Sequence, residues 1–416
     1  MAKQAIITGL DIGTSNIRVA VGQVVPGEDK PIIIGVVEAK SAGLRRGNVV
    51  DSEEAVSAIS EALEKAERLT GMPIENALVS VCGSQITCHE SSGTIAVSRA
   101  DGEISKQDKQ RVLEAAQAIA IPPNHEVLHI LARDYKVDGE SGVKDPVGMS
   151  GVRLEVEACV VEVAASFVRN LTRCVYRTGV DIKELVLSPL ASAEAVLTKR
   201  QKELGVALID IGAGTTKLAI FEEGSLVYVS ALAIAGEHVT NDLAIGLRSS
   251  IETAEKVKLE YGSVNPRQFD RKEEIDLSKI NRKDKSRVPR FHIAEIIEAR
   301  AAEIFSLIDA ELVKIDRAGK LPAGIVLTGA TAKLSGIVDL AKEELKLPAQ
   351  IGFPEDLRVA VDQVEDPRFS TVVGLVLWGA GPEGLRGSLT GGRFNLPKPV
   401  DTVKAISGWL KKRFLP

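Results

Sequence analysis

Two aspartates stand in the same short pattern in separate halves of the chain. Residues 6–21 read IITGLDIGTSNIRVAV and residues 206–220 read VALIDIGAGTTKLAI. Each is an apolar strand, then Asp-Ile-Gly, a turn of small and hydroxyl residues, and a second apolar strand. Glycine lets the backbone approach a phosphate closely, and turn amides can then cradle its oxygens. A carboxylate beside each turn can hold hydrated Mg²⁺, which binds through one or two carboxylates plus phosphate and keeps its waters. Either copy alone is an ordinary β-hairpin. With Asp11 and Asp210 lying 199 residues apart in a 416-residue chain, the pair points instead to two related lobes built around a nucleotide.

Further elements would position these turns. Residues 185–197, LVLSPLASAEAVL, run from a strand through Ser-Pro into an apolar helix. Residues 236–243, GEHVTNDL, open a helix on a glycine turn, a ready anion site. In AEKVKLEYG (254–262), Glu255 and Lys258 share one helix face, which taken alone is a solvated ion pair. Residues 325–337, IVLTGATAKLSGI, form a buried strand, a glycine turn and a helix start. The longest stretch free of charge and histidine, 369–382, is too short to span a bilayer and reads as a buried core helix.

Composition bounds the function. With 52 Lys+Arg against 57 Asp+Glu the net charge is −5, and aromatics make up 4%. Neither a general electrostatic footprint for nucleic acid nor many base-stacking platforms is present, so no nucleic-acid partner is expected. Hydrophobics at 44% and charges at 26% are ordinary globular values and allow two or three domains with real cores. Cys82, Cys88, Cys159 and Cys174 are too few for a disulfide scaffold and fit no common zinc spacing, so reduced thiols in a cytosolic protein are expected. The N-terminus lacks a signal-peptide core and cleavage site.

Between the first hairpin and the Ser-Pro helix lies an extra segment, 84–164. ITCHESSGTIAVS (86–98) reads as strand and turn, and a helix follows with Ser105 as N-cap and Asp108 completing a capping box. Val112, Ala115, Ala116 and Ile119 would form its buried stripe. Residues 125–139 and 152–163 alternate as strands, giving a strand-helix-strand-strand α+β module. His125 and His129 share a strand face without a third ligand, so a partly buried pair is expected rather than a metal site. At the other end, 381–402 is a Gly/Pro-rich linker with a reach of about 25 Å. After it, Ile406, Leu410 and Phe414 recur at helical spacing beside Trp409, with Lys404, Lys411, Lys412 and Arg413 and no acid in 404–416. A basic amphipathic helix with an aromatic edge suits a membrane surface, and a docking or partner-binding peptide is the alternative.

In this order the motifs resemble the actin/DnaK-chaperone/sugar-kinase ATPase superfamily. DIGTSNIR and DIGAGTTK resemble its two phosphate motifs, VLSPLASAEA and STVVGLVLWG its connecting helices, and TGATAKLSG its adenosine motif. With the inserted module and the tail, and with strings such as ELGVALIDIGAGTT, EHVTNDLAIGL and LRRGNVVD, the chain resembles the FtsA family of bacterial cell-division proteins over nearly its whole length.

That resemblance implies an α/β actin-like fold with two duplicated lobes. Residues 1–83 with 165–190 would form the core of lobe 1, 84–164 an inserted 1C module in place of 1B, and 191–380 lobe 2 with a 2B subdomain at about 238–305. The linker 381–402 and a membrane-targeting helix 403–416 would follow. ATP and Mg²⁺ would be the cofactors. Asp11 and Asp210 would face Mg²⁺ through waters, while Gly13, Thr14, Ser15 and Asn16 would line the phosphates on one lobe, and Gly212, Gly214, Thr215 and Thr216 on the other. Gly236 would touch the phosphate tail, Glu255 and Lys258 hold the ribose, and Gly329, Ala330 and Lys333 flank the adenine.

The family's glycine runs are broken here by Ala213 and Ala330, whose methyls disfavour positive φ. Ser188 is a poor general base and Glu194 points along its helix, so the resemblance implies a switch with at most slow ATPase activity. The same likeness implies filaments on the cytoplasmic face of the cell membrane at the division site, held by Ile406, Trp409, Leu410, Lys411, Lys412, Arg413 and Phe414. It implies an acidic-apolar FtsZ C-terminal peptide as partner, with Arg300 and Arg290 as candidate contacts, and later division proteins on the 1C module. A PilM-like pilus scaffold shares the core and insertion without such a tail. A small-molecule kinase would need a catalytic aspartate and a substrate domain that are not visible.

Overall fold

The computed structural model describes residues 5–28, 30–83, 85–118, 121–282, 284, 286–355, 357–360 and 364–381. The tail helix expected at 403–416 and all but the first residue of the 381–402 linker lie outside the described residues.

Strands β1 (Ala5–Ile12), β2 (Asn16–Val24) and β3 (Ile32–Lys40) form an antiparallel meander. A short hairpin, β4 (Leu44–Arg45) and β5 (Asn48–Val49), leads into α1 (Ser52–Thr70). Asp51 caps α1 by accepting from the amides of Glu53 and Glu54, and Gly71 ends it at φ 69°. Strand β6 (Asn76–Val81) returns parallel to β1.

The inserted module follows. Its strands are β7 (Ile86–Ala96), β8 (His125–Val137), β9 (Glu140–Val143) and β10 (Arg153–Ala164), around α2 (Lys106–Gln117). The antiparallel order is β7-β10-β8-β9, so the expected strand-helix-strand-strand plan is present with one short strand added. Ser105 and Asp108 form the capping box. Val112, Leu113 and Ala116 fill the module's core, Ala115 is half-buried, and Ile119 lies outside the described residues. Buried His129 accepts a hydrogen bond at Nε2 from the Leu187 amide at 3.0 Å, which ties the module to lobe 1. The thiols depart from expectation. Cys88 and Cys159 form a disulfide, while Cys82 and Cys174 are free and buried. The β7–β10 register pairs Cys88 with Val161, and so puts Cys159 one diagonal step away on the same face with the Cα atoms 6.3 Å apart. Seventy-one residues of sequence hide that proximity.

Helix α3 (Ala165–Arg177) and strand β11 (Asp181–Leu187) complete the first sheet, whose order is β11-β6-β1-β2-β3 plus an edge strand described below. Helices α4 (Ser188–Val196) and α5 (Lys199–Leu204) precede a second meander, β12 (Val206–Ile211), β13 (Thr216–Glu222) and β14 (Ser225–Leu232). Helices α6 (Gly236–Leu247) and α7 (Ile251–Tyr261), a hairpin of β15 (Glu274–Asp276) and β16 (Arg287–Pro289), and the long α8 (Arg290–Lys314) make the smaller subdomain. The charged run 271–287 thus forms most of a surface hairpin, as expected. Strands β17 (Ile325–Thr328) and β18 (Ala349–Ile351), with α9 (Ile337–Leu345) between them, give the second sheet its order β18-β17-β12-β13-β14. This repeats β11-β6-β1-β2-β3 strand for strand: a three-strand meander flanked by two parallel strands.

The expected lobe boundary at 191–380 needs correction. After β18 the chain leaves lobe 2. Strand β19 (Arg358–Val359) pairs parallel to β3, and α10 (Ser370–Ala380) packs on β1 and joins the lobe 1 core. Helix α4 lies in the same core, which runs on to one face of the second sheet, while the other face carries its own core with α6, α7, α8 and α9. The two connecting helices therefore sit between the sheets. They cross so closely that a Cβ on Gly374 would fall 1.8 Å from the Ala191 carbonyl oxygen, and Ser192 and Thr371 hydrogen-bond across the crossing at 2.9 Å.

Candidate nucleotide cleft between the lobes

The two aspartates stand in equivalent places at the ends of β1 and β12. In each hairpin one turn bond closes the loop: Gly13 N–H donates to Asn16 O at 3.1 Å, and Gly212 N–H to Thr215 O at 3.0 Å. A Cβ at either glycine would crowd that same carbonyl, at 2.7 Å and 3.1 Å respectively. The cross-strand partners match too, Asp11 facing Arg18 and Asp210 facing Lys217.

The tips of the hairpins meet. A Cβ on Gly214 would lie 2.6 Å from Thr14 Oγ1 and 3.1 Å from the Cα of Arg46, and Thr14 Oγ1 accepts from the Gly47 amide at 2.9 Å. Gly13, Thr14 and Asn16 are half-buried there and Ser15 is exposed, while Gly214, Thr215 and Thr216 are buried. Asp11 and Asp210 are both buried. Ser80 Oγ donates to Asp11 Oδ1 at 2.6 Å, and Thr371 Oγ1, on the second connecting helix, approaches Asp210 Oδ2 at 3.5 Å. Two carboxylates from separate lobes, each beside a glycine turn, fit a hydrated Mg²⁺ shared with phosphates.

Lys217 was not among the expected site residues. Its ammonium lies 3.0 Å from Asp210 Oδ2 and its side chain is buried. Burial works to lower its pKa, but Asp210, then Cys82 and Asp11, outweigh this and raise it. The signal was visible in the alternation of DIGAGTTK, where the seventh residue after Asp210 must face it across the hairpin.

Other expected contacts differ in detail. The first amides of α6 are already used: Gly236 N–H donates to Gly212 O at 3.1 Å and Glu237 N–H to Ala213 O at 2.8 Å. The expected open anion site at Gly236 is thus filled by the Gly212–Ala213 turn, with Thr331 Oγ1 also donating to Gly212 O at 2.8 Å. Glu255 and Lys258 pair at 2.6 Å as a set rather than as solvated charges. Lys258 donates to Thr240 Oγ1 at 2.8 Å and to Gly236 O at 3.2 Å, and Thr240 in turn reaches Glu255 at 2.5 Å. Gly329 adopts φ 87° beside Asp210, where a Cβ would meet Oδ1 at 2.4 Å. Ala330 is exposed, and Lys333 turns to Asp366 at 2.6 Å.

The candidate catalytic and partner residues are committed elsewhere. Ser188 Oγ is wholly buried without a hydrogen-bond partner, and Glu194 accepts from Lys202 Nζ at 2.6 Å. Arg300 forms a two-pronged pair with Asp242, at 2.5 and 3.0 Å, and also bonds Glu303. Arg290 bonds Glu273 at 2.8 Å and stacks 4.2 Å from the Phe269 ring centroid. Both arginines therefore serve intramolecular pairs, because each lies one helix or hairpin width from an acid that sequence distance concealed.

Comparison with known proteins agrees with the geometry. The family model "Cell division protein FtsA" matches residues 207–374, and "SHS2 domain inserted in FTSA" matches residues 83–162, the module of β7 to β10. The chain is 38% identical over 412 residues to the cell division protein FtsA of Pseudomonas aeruginosa, covering 98% of each. It is 36% identical to that of Bacillus subtilis, covering 98% of this chain and 90% of the relative. Among solved structures, the PilM–PilN type IV pilus biogenesis complex matches with a TM-score of 0.65 at 17% identity, covering 90% of this chain and 99% of that one. MreB5 of Spiroplasma citri bound to ADP matches at 0.51 and 16%, covering 89% and 94%. At these identities the structures speak to the fold alone, an actin-like ATPase fold, while the sequence relatives speak to the family. The chain belongs to the FtsA family of cell-division proteins.

Proposed function

We propose that this chain binds ATP with Mg²⁺ between its lobes and polymerises on the cytoplasmic membrane face, where it tethers the FtsZ ring and helps recruit later division proteins. The observation that supports it most is the matched pair of glycine turns, meeting tip to tip above one buried aspartate from each lobe. Asp11 and Asp210 would hold the ion through water, and the metal would neutralise phosphate charge. The connecting helices, tied by Ser192–Thr371 and touching Asp210 through Thr371, would pass lobe closure to the rest of the chain. Gly13, Thr14, Ser15, Asn16, Gly212, Gly214, Thr215 and Thr216 would line the phosphates. Glu255, Lys258, Gly329, Ala330 and Lys333 would border the nucleoside.

The membrane role rests on the basic amphipathic sequence 404–416. One such helix holds weakly, and lining up many tails in a filament turns weak binding into firm attachment. For the acidic-apolar FtsZ peptide, the 2B subdomain offers exposed Ile245 on α6 and Ile251 and Leu259 on α7. Sedimentation of the full chain with anionic liposomes, with and without ATP, tests this reading. Pelleting should need both the nucleotide and residues 404–416, and undiminished pelleting of the truncated chain would refute the membrane role. A pull-down with the FtsZ C-terminal peptide tests the tether directly.

A further inference from the structure

Each phosphate hairpin carries a cation opposite its aspartate, but only one of these cations is delivered to the cleft. Arg18 sends its Nε to Glu38 at 2.7 Å and stays 3.9 Å from Asp11. Lys217 has its ammonium 3.0 Å from Asp210. Besides Asp210, the groups that act electrostatically on that ammonium are Cys82, whose thiol burial pushes up to about 11, and Asp11. Thr371 Oγ1 also approaches the same Asp210 oxygen. Two buried carboxylates at the floor of one cleft would repel each other and repel incoming phosphates, and in a nucleotide cleft a divalent ion relieves both effects. Here a side chain already supplies positive charge at that floor. A lysine ammonium is a compact charge with three donors on a flexible stem, able to move between a carboxylate and a phosphate oxygen.

We propose that Lys217 is a built-in counter-cation of the cleft, neutralising Asp210 in the ligand-free chain and lending its charge to the nucleotide phosphates. Nucleotide binding by this chain then depends far less on a divalent metal than two opposed aspartates alone would require. The inference rests on the nucleotide reading above and deepens it.

The test is titration of the full chain with a fluorescent ATP analogue, in magnesium and in excess EDTA. The wild-type Kd should rise by less than about 10-fold on metal removal, whereas Lys217→Met should lose about 100-fold or more in EDTA and recover in magnesium. Lys217→Arg should stay near wild type. A wild-type chain that binds in magnesium and loses about 100-fold in EDTA overturns the inference and leaves the nucleotide reading standing. So does a Lys217→Met chain equal to wild type in EDTA. Absence of binding in both buffers overturns both. Melting of the ligand-free protein gives a second readout: magnesium should raise the melting temperature of Lys217→Met and leave wild type unmoved, and an equal response of the two counts against the inference. Should Lys217→Met fail to fold, Asp210→Asn should bind in EDTA at least as tightly as wild type. Asp210→Asn/Lys217→Met should then lose about 10-fold, and equal affinity of these two variants overturns the inference.

Discussion

The first and second Asp-Ile-Gly hairpins share strand register, turn bond, glycine position and aspartate, yet their charges are wired differently. In the first, Asp11 is served by the Ser80 hydroxyl, and the cross-strand Arg18 makes its close contact with Glu38 on β3 while standing 3.9 Å from Asp11. In the second, the cross-strand Lys217 stays buried against Asp210. The two lobes share the same glycine-turn backbone device, and the neighbouring strand decided the electrostatics. Glu38 faces Arg18 in the β2–β3 register, whereas the position facing Lys217 on β14 is Ala231, which offers no rival acid.

That contrast can be broken most sharply by removing each aspartate. Asp210→Ala orphans a buried ammonium and should cost about 3–5 kcal/mol of stability. Asp11→Ala removes the 3.9 Å contact with Arg18, which keeps its closer pair with Glu38, and strands the Ser80 hydroxyl, so about 1–3 kcal/mol is expected. Denaturant unfolding of the two variants measures the gap, and equal losses would show that the hairpins are electrostatically alike. Next in size is the contact between the tips. Gly214→Val drives a side chain into Thr14 and the Arg46 backbone, and should cost about 1–3 kcal/mol and weaken nucleotide binding with it. A smaller effect is expected from Trp378→Phe, which removes the indole hydrogen bond to Glu184 at 3.0 Å between α10 and β11. About 1 kcal/mol should be lost in a melting experiment, with nucleotide affinity unchanged. Arg18→Met should be the mildest, within about 1 kcal/mol, because its pair with Glu38 is partly exposed.

A pH series sharpens the comparison beside the glycine turn that follows β17, where Asp366 pairs with Lys333. Burial works to raise the Asp366 pKa, but hydrogen bonds from Arg368 and Lys333 outweigh it and hold it at about 2. A carboxyl lowered on folding from about 4 adds stability above that value and loses it as pH falls towards the folded pKa. Asp366→Asn should therefore melt below wild type near neutrality, with the difference closing as pH falls from about 4 to about 2.

Much of this architecture was legible in residue order because it depends on local rules. Alternating apolar residues around Asp-Ile-Gly specify a hairpin wherever they occur, and two copies at half-chain spacing disclose the duplication. The Ser105–Asp108 capping box, the Ser-Pro start of α4 and the apolar run of α10 likewise rest on neighbours within a few residues. The module's strands followed from their alternation.

What could not be read was pairing over distance. The disulfide of Cys88 with Cys159 and the pairs of Arg300 with Asp242 and Arg290 with Glu273 each join separate elements. The return of α10 to lobe 1 and the filling of the α6 amides by the Gly212–Ala213 carbonyls are of the same kind. Short-range periodicity dictates which residues become strand, turn or helix, and hence which side chains are offered to the cleft. Which cation then meets which carboxylate depends on the register of a third strand and on helices arriving from elsewhere in the chain, and no local pattern encodes that.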